Sequence, residues 1–121
     1  MPPSIFERYG GFATVHQIVS EFYDKVMEHP TLSTYFATVD MERLITHQTR
    51  FIASIMGGPP SFTDEALRRA HAPHNIGRDD FLAIVELVRV TLQEFSVDAA
   101  DIETIMQQLA RRESVIVGRN S

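Results

Sequence analysis

The chain has no cysteine and no tryptophan among its 121 residues. The first absence excludes disulfides, thiolate metal sites and thiol catalysis together. The second leaves eight phenylalanines to supply most of the aromatic core. No run of basic residues occurs, and the net charge is −5. Both argue against nucleic acid as a main partner. No apolar stretch approaches the roughly 20 residues that a membrane-spanning helix needs, and MPPSIFERYGG has no apolar segment of signal-peptide type. These absences lead to the expectation of a cytoplasmic protein with no membrane partner. The length fits one domain, residues 1–121, and a chain of this size buries roughly 65% of its unfolded surface without staples.

What is present is helical periodicity. Ser4 can cap a short helix that stops at Gly10-Gly11. Val15, Ile18, Val19, Phe22 and Val26 lie on one face of a second helix, ended by Pro30. TLSTYF reads as a turn or a single helical turn. Asp40 is the N-cap expected for a helix whose inner face is Leu44, Gln48, Phe51, Ile52 and Ile55, and the GGPP of Gly57 to Pro60 stops it. A short segment capped by Thr63 carries Leu67 and His71. Two further stripes follow, Phe81-Ile84-Val85-Val88-Leu92-Phe95 and Ile102-Ile105-Met106-Leu109-Ile116. No alternating pattern competes, so the fold class is all-α with about four substantial helices.

Between the two middle helices lies a long, poorly helical stretch, longer than bundle connections usually are. It holds LRRAHAPHNIG, with His71 and His74 three apart around Pro73. Pro73 disfavours helical backbone at Ala72. His71 therefore belongs to a last helical turn, four residues after Leu67 on its apolar face, and His74 to a loop beyond it. Taken alone, His71 reads as a hydrogen-bonded helix-end histidine or as a ligand, and His74 as a solvated loop residue. A structural zinc site would need three or four ligands, and these two residues do not supply them. Two polar residues on inner faces add to the picture. Gln48 interrupts an apolar stripe, and Tyr23 adjoins Phe22. A buried amide and a buried phenol each need partners. Facing one cavity with a histidine, they suit a planar, mostly apolar cofactor with a polar reactive centre, such as haem.

YGG after the first helix, EFY late in the second, LSTYF at the turn, HQTRF followed by GGP, and RRAHAPHNIGRDDF appear in this order along nearly the whole chain. Together they resemble the group I truncated haemoglobins. That resemblance implies a two-over-two α-helical sandwich, with haem b as cofactor and oxygen, nitric oxide and carbon monoxide as ligands. It implies that His71, five residues before Ile76 and ten before Phe81, is the proximal iron ligand, and that His74 lies near the haem edge or a propionate. Tyr23 and Gln48 match the distal hydrogen-bonding pair. Leu44 takes the distal position where many globins have histidine, and Phe36 matches the phenylalanine that packs on the porphyrin. Phe51, Phe62, Leu67, Ile76, Phe81 and Ile84 would line the pocket.

His47 precedes Gln48 at a position that is often basic in the family and near the propionates. In certain relatives a histidine here is a sixth iron ligand. On the helix it stands about 100° from Gln48, at the border of the inner face. Both roles, propionate partner and iron ligand, remain open from the sequence. No histidine follows His74, so the covalent haem link of some relatives is not available. The functions implied are reversible oxygen binding with nitric oxide dioxygenase activity, or a six-coordinate electron-transfer or redox- or gas-sensing haemoprotein. From a different class, a haem-free helical interaction module fits the periodicity. With no flavin or nicotinamide motif in the sequence, any reductase would be external. A monomer is expected.

Overall fold

The computed structural model describes residues 3–59 and 77–111. Helix α1 is a single turn, Ile5–Arg8, started by Ser4. The Ser4 side chain accepts from the Glu7 backbone amide while the Glu7 carboxylate accepts from that of Ser4, so two otherwise unsatisfied helix-end donors are paired reciprocally. Helix α2, Phe12–Glu28, follows the Gly10-Gly11 pair, whose φ angles of 104° and 73° are easy only for glycine. All five residues of its expected stripe are buried, and Tyr23 joins them.

After α2 the chain turns through a 3-10 helix, Leu32–Phe36, with Leu32 and Phe36 buried. Its start is held by a feature with no sequence signature. The His29 Nδ1 atom accepts from the backbone amides of Thr31 and Leu32, both at 3.1 Å. Helix α3, Met41–Ile55, is capped as expected by Asp40, which accepts from the Arg43 amide at 3.2 Å. It ends at Gly57, where φ is +93°. The next residue, Gly58, is packed so closely that a Cβ there would lie 2.9 Å from the Phe6 ring. Thus the Gly57-Gly58 pair stops α3 and also gives α1 a place to dock, sealed by the Phe6 amide donating to the Met56 carbonyl at 2.8 Å.

Helix α4, Arg78–Glu94, begins after Gly77 with Asp79 and Asp80 in its first turn, where acidic residues oppose the positive end of the helix dipole. Ser96, at φ 60°, reverses the chain into α5, Ala99–Ala110. Ile102, Ile105, Met106 and Leu109 are buried as their spacing requires. Ile116, and the short segment expected around Thr63, Leu67 and His71, lie outside the described residues.

Helix α2 pairs with α3, and α4 with α5. The pairs meet through α2 against α4 and α3 against α5. This is the two-over-two arrangement, and no strand occurs among the described residues. One apolar cluster runs through all four long helices and the turn. Each large side chain buried there contributes about 1.5–3 kcal/mol. No helix among the described residues is long and apolar enough to cross a membrane.

Candidate functional site

The two helix pairs do not close completely. Between them lies a cavity of about 160 Å³. The helices present their inner faces to it: α2 through Phe22, Tyr23 and Val26, α3 through Leu44, Gln48 and Phe51, and α4 through Phe81, Ile84 and Val85. Phe36 of the 3-10 turn lines it too, as do Ile105 and Leu109 of α5 with Ile18, Val88 and Leu92.

Tyr23 is 6% exposed. Its ring meets those of Phe22 and Phe36 edge-on, at centroid distances of 4.8 and 5.7 Å. These two rings hold the Tyr23 ring in place, while among the described residues its hydroxyl has no hydrogen-bond partner. Yet no buried side-chain polar atom among the described residues is sealed without a partner, so this hydroxyl opens onto the cavity and is not enclosed in its wall. Burial alone pushes the phenol well above the ordinary tyrosine range, so it stays a neutral donor. Gln48 is half-buried one helical turn after Leu44, and its amide likewise has no bonding partner among the described residues. His47 is exposed and still borders the cavity, in keeping with its place at the edge of the inner face.

Of the residues singled out in the sequence, Tyr23, Phe36, Leu44, His47, Gln48, Phe51, Phe81 and Ile84 all come together on this cavity. His71 and His74, with Phe62, Leu67 and Ile76, lie outside the described residues. Other lining residues, among them Val19, Ile52, Val85 and Thr91, carried no separate signal, because the stripe that makes a helix core is the same stripe that makes the pocket. Tyr35 was also missed. Its hydroxyl donates to Asp80, a pairing between residues far apart in sequence.

The donor set fits haem. The walls are aromatic and aliphatic, and the two polar groups with spare bonding capacity are a phenol and an amide, able to meet a small polar ligand. No group of three or more His, Asp or Glu side chains among the described residues could chelate a bare metal ion. Aromatic walls with a few convergent polar groups are the usual make-up of an organic cofactor pocket.

Comparison with known proteins agrees. A family model described as bacterial-like globin matches residues 4–117. A group 1 truncated haemoglobin of Tetrahymena thermophila is 34% identical over 95 residues, 78% of each chain. The Fe(III) truncated haemoglobin of Tetrahymena pyriformis superposes with a TM-score of 0.86 at 27% identity, covering 97% of this chain and 100% of that one. The 2/2 haemoglobin of a Synechococcus species, solved in the cyanomet state with covalently attached haem, gives 0.84 at 29% identity, covering 94% and 98%. With its all-helical two-over-two architecture and its aromatic pocket, the chain belongs to the bacterial-like globin family as a group 1 truncated haemoglobin, a haem b protein of the gas-binding globins.

Proposed function

We propose that the chain binds oxygen reversibly, and nitric oxide and carbon monoxide as alternative ligands, with His71 as the proximal ligand and Tyr23 and Gln48 on the distal side. The observation that supports this best is the pair of polar side chains, Tyr23 and Gln48, that face an apolar cavity without partners among the described residues. Haem b supplies the iron that takes up the gas and, when oxygen and nitric oxide are both present, the redox chemistry that yields nitrate, with an external reductase returning the electron spent. The Tyr23 hydroxyl and the Gln48 amide donate to the polar ligand. Each such bond in a dry pocket is worth roughly 1 kcal/mol or more. Carbon monoxide, being less polar, gains less. Phe36, Phe51, Phe81 and Ile84 exclude water and so strengthen both bonds.

Hemin titration tests the proximal assignment. His71→Ala is expected to lose most haem and His74→Ala to keep it, and equal retention by the two would remove His71 from its role. Nitrate formation from nitric oxide by the oxygenated protein, with a reductant supplied, tests the dioxygenase activity.

A second reading, a six-coordinate haem used for electron transfer or redox sensing, is favoured by one observation: His47 borders the cavity although it is exposed. Its test is the ferric spectrum of wild type beside His47→Ala. A low-spin wild type that turns high-spin in the variant establishes ligation, and a high-spin wild type unaltered by the change leaves His47 as a propionate partner or a surface group.

A further inference from the structure

Tyr35 links the 3-10 turn to the start of α4. It precedes Phe36, whose ring lines the cavity from the 3-10 turn. Its hydroxyl donates to Asp80 in the first turn of α4, and Asp80 precedes Phe81, which lines the same cavity from α4. The Tyr35 ring packs on Phe81 and meets Phe36 edge-on at 6.5 Å. One side chain thus touches both phenylalanines while its polar end ties their backbones together. The Asp80 bond, burial and the nearby carboxylate charge all raise the phenol's pKa above its ordinary value, against a smaller opposing effect of the Gly77 amide. The hydroxyl therefore remains a donor at neutral pH, and a bond from a neutral phenol to a carboxylate is among the stronger kinds.

The far end of α4 offers a contrast. There Lys25 of α2 pairs with Glu94 at 2.6 Å. That clasp lies about 20 Å along the helix from Asp80 at 1.5 Å per residue, and Lys25 and Glu94, like Tyr35 and Asp80, are not lining residues themselves. Of these two polar clasps on α4, Tyr35–Asp80 is the one whose members each precede a lining phenylalanine and whose ring meets both of them.

We propose that Tyr35 is a positioning residue for haem: its bond to Asp80 holds Phe36 and Phe81 at the spacing that grips the cofactor, and opening this clasp is a step in haem release. The proposal rests on the haem-binding character of the chain. When the bond breaks, water satisfies both partners, the turn separates from α4 and the Phe36–Phe81 gap widens.

Transfer of haem from the ferric holoprotein to an excess of an acceptor apoglobin, followed in the Soret band, tests it. Tyr35→Phe is expected to release haem roughly fivefold faster, the factor that one net hydrogen bond supplies. Asp80→Ala should match it, and the double variant should be no faster than either single one. Asp80→Asn keeps an accepting oxygen and should restore most of the retention, a rescue that general loosening of the fold would not give. Lys25→Met should leave the rate unchanged. Wild-type holoprotein and Tyr35→Phe releasing haem at one rate would overturn the clasp alone, as would equal acceleration by Lys25→Met. A wild-type chain that takes up no haem would overturn the clasp together with the haem reading beneath it.

Discussion

Tyr9 and Tyr23 carry the same phenol into two different settings. Tyr9, at the end of α1, donates to Asp101 at 2.8 Å and accepts from the Asp98 backbone amide at 3.0 Å. Asp101 in turn receives both nitrogens of the Arg8 guanidinium, at 3.0 and 2.7 Å. Every polar group in that seam is used by another, and the result is a joint between α1 and the start of α5. Tyr23 is more deeply buried and its hydroxyl bonds to nothing among the described residues. Burying a hydroxyl without a partner is costly, and a fold selected only for stability would place a phenylalanine there. The contrast separates two uses of a polar side chain. Where groups satisfy one another the chain is building structure, and where capacity is left over beside a cavity it awaits a ligand.

Exchanging each phenol for phenyl should break the comparison in opposite directions. The largest effect is expected at Tyr23. Tyr23→Phe should speed oxygen release about tenfold, or about 1.4 kcal/mol, while leaving the urea midpoint almost unchanged, since no bond within the protein is lost. Gln48→Ala should also speed release. The two together should be non-additive because both groups meet one ligand. Stopped-flow release at the wild-type rate in Tyr23→Phe would show that the phenol does not face the ligand. At Tyr9 the pattern reverses. Tyr9→Phe should lower stability by about 1 kcal/mol and leave oxygen release unaltered, which urea titration and the same stopped-flow assay would check.

A smaller effect concerns Asp101. The Arg8 hydrogen bond, with that of Tyr9, holds its carboxyl below the ordinary aspartate value. A depressed folded-state pKa stabilises above the unfolded value, and that contribution is lost as pH falls through the folded one. The stability gap between wild type and Asp101→Asn should therefore be full at about pH 7 and close below the ordinary aspartate value of about 3.9. A gap constant across that range would show that Asp101 is not held by its charge. The smallest effect is spectroscopic. All three tyrosines are raised, Tyr23 by burial and Tyr35 chiefly by its bond to Asp80; at Tyr9 burial and Asp101 outweigh the lowering by the Asp98 amide, the largest single influence. The folded chain should show little phenolate near the ordinary pKa of about 10. The stabilisation linked to these phenols is present below that value and lost as pH rises through their folded-state values. An ultraviolet titration with three ordinary tyrosines would contradict this.

Near-neighbour chemistry made much of the fold legible. The Ser4–Glu7 box, the Asp40 cap and the Gly57 stop each act within a few residues, and the apolar stripes of α2, α4 and α5 come from helical geometry alone. Tyr23 and Gln48 stood out for the same reason, as polar residues on apolar faces. A third such residue, Thr91, is fully buried on the cavity wall but donates to the Leu87 carbonyl at 2.7 Å. Its bonding need is met within its own helix, so polarity on an inner face marks a site only when the group cannot satisfy itself locally. What stayed hidden depends on pairings across the chain: Tyr9 with Asp101, Tyr35 with Asp80, and the reach of Phe6 over Gly58. The His29 cap is local but needs one imidazole orientation that no pattern encodes. The role of His71 came from resemblance, because its spacing from Leu67 places it on an apolar helical face but fits a hydrogen-bonded helix-end histidine as well as a ligand.

The α1–α5 seam also sets an order in time. Its bonds join residues 89 to 93 positions apart. On a ribosome adding 5–20 residues each second, Arg8 and Tyr9 wait roughly 5–20 s for the partners that fix them. A single helical turn has no lasting stability of its own. The segment synthesised before α2 thus finds its first anchor, at Met56 and Gly58, only once α3 is made, and its seam with α5 closes last, leaving Arg8 and Tyr9 without those partners while α2 and α3 can already pair.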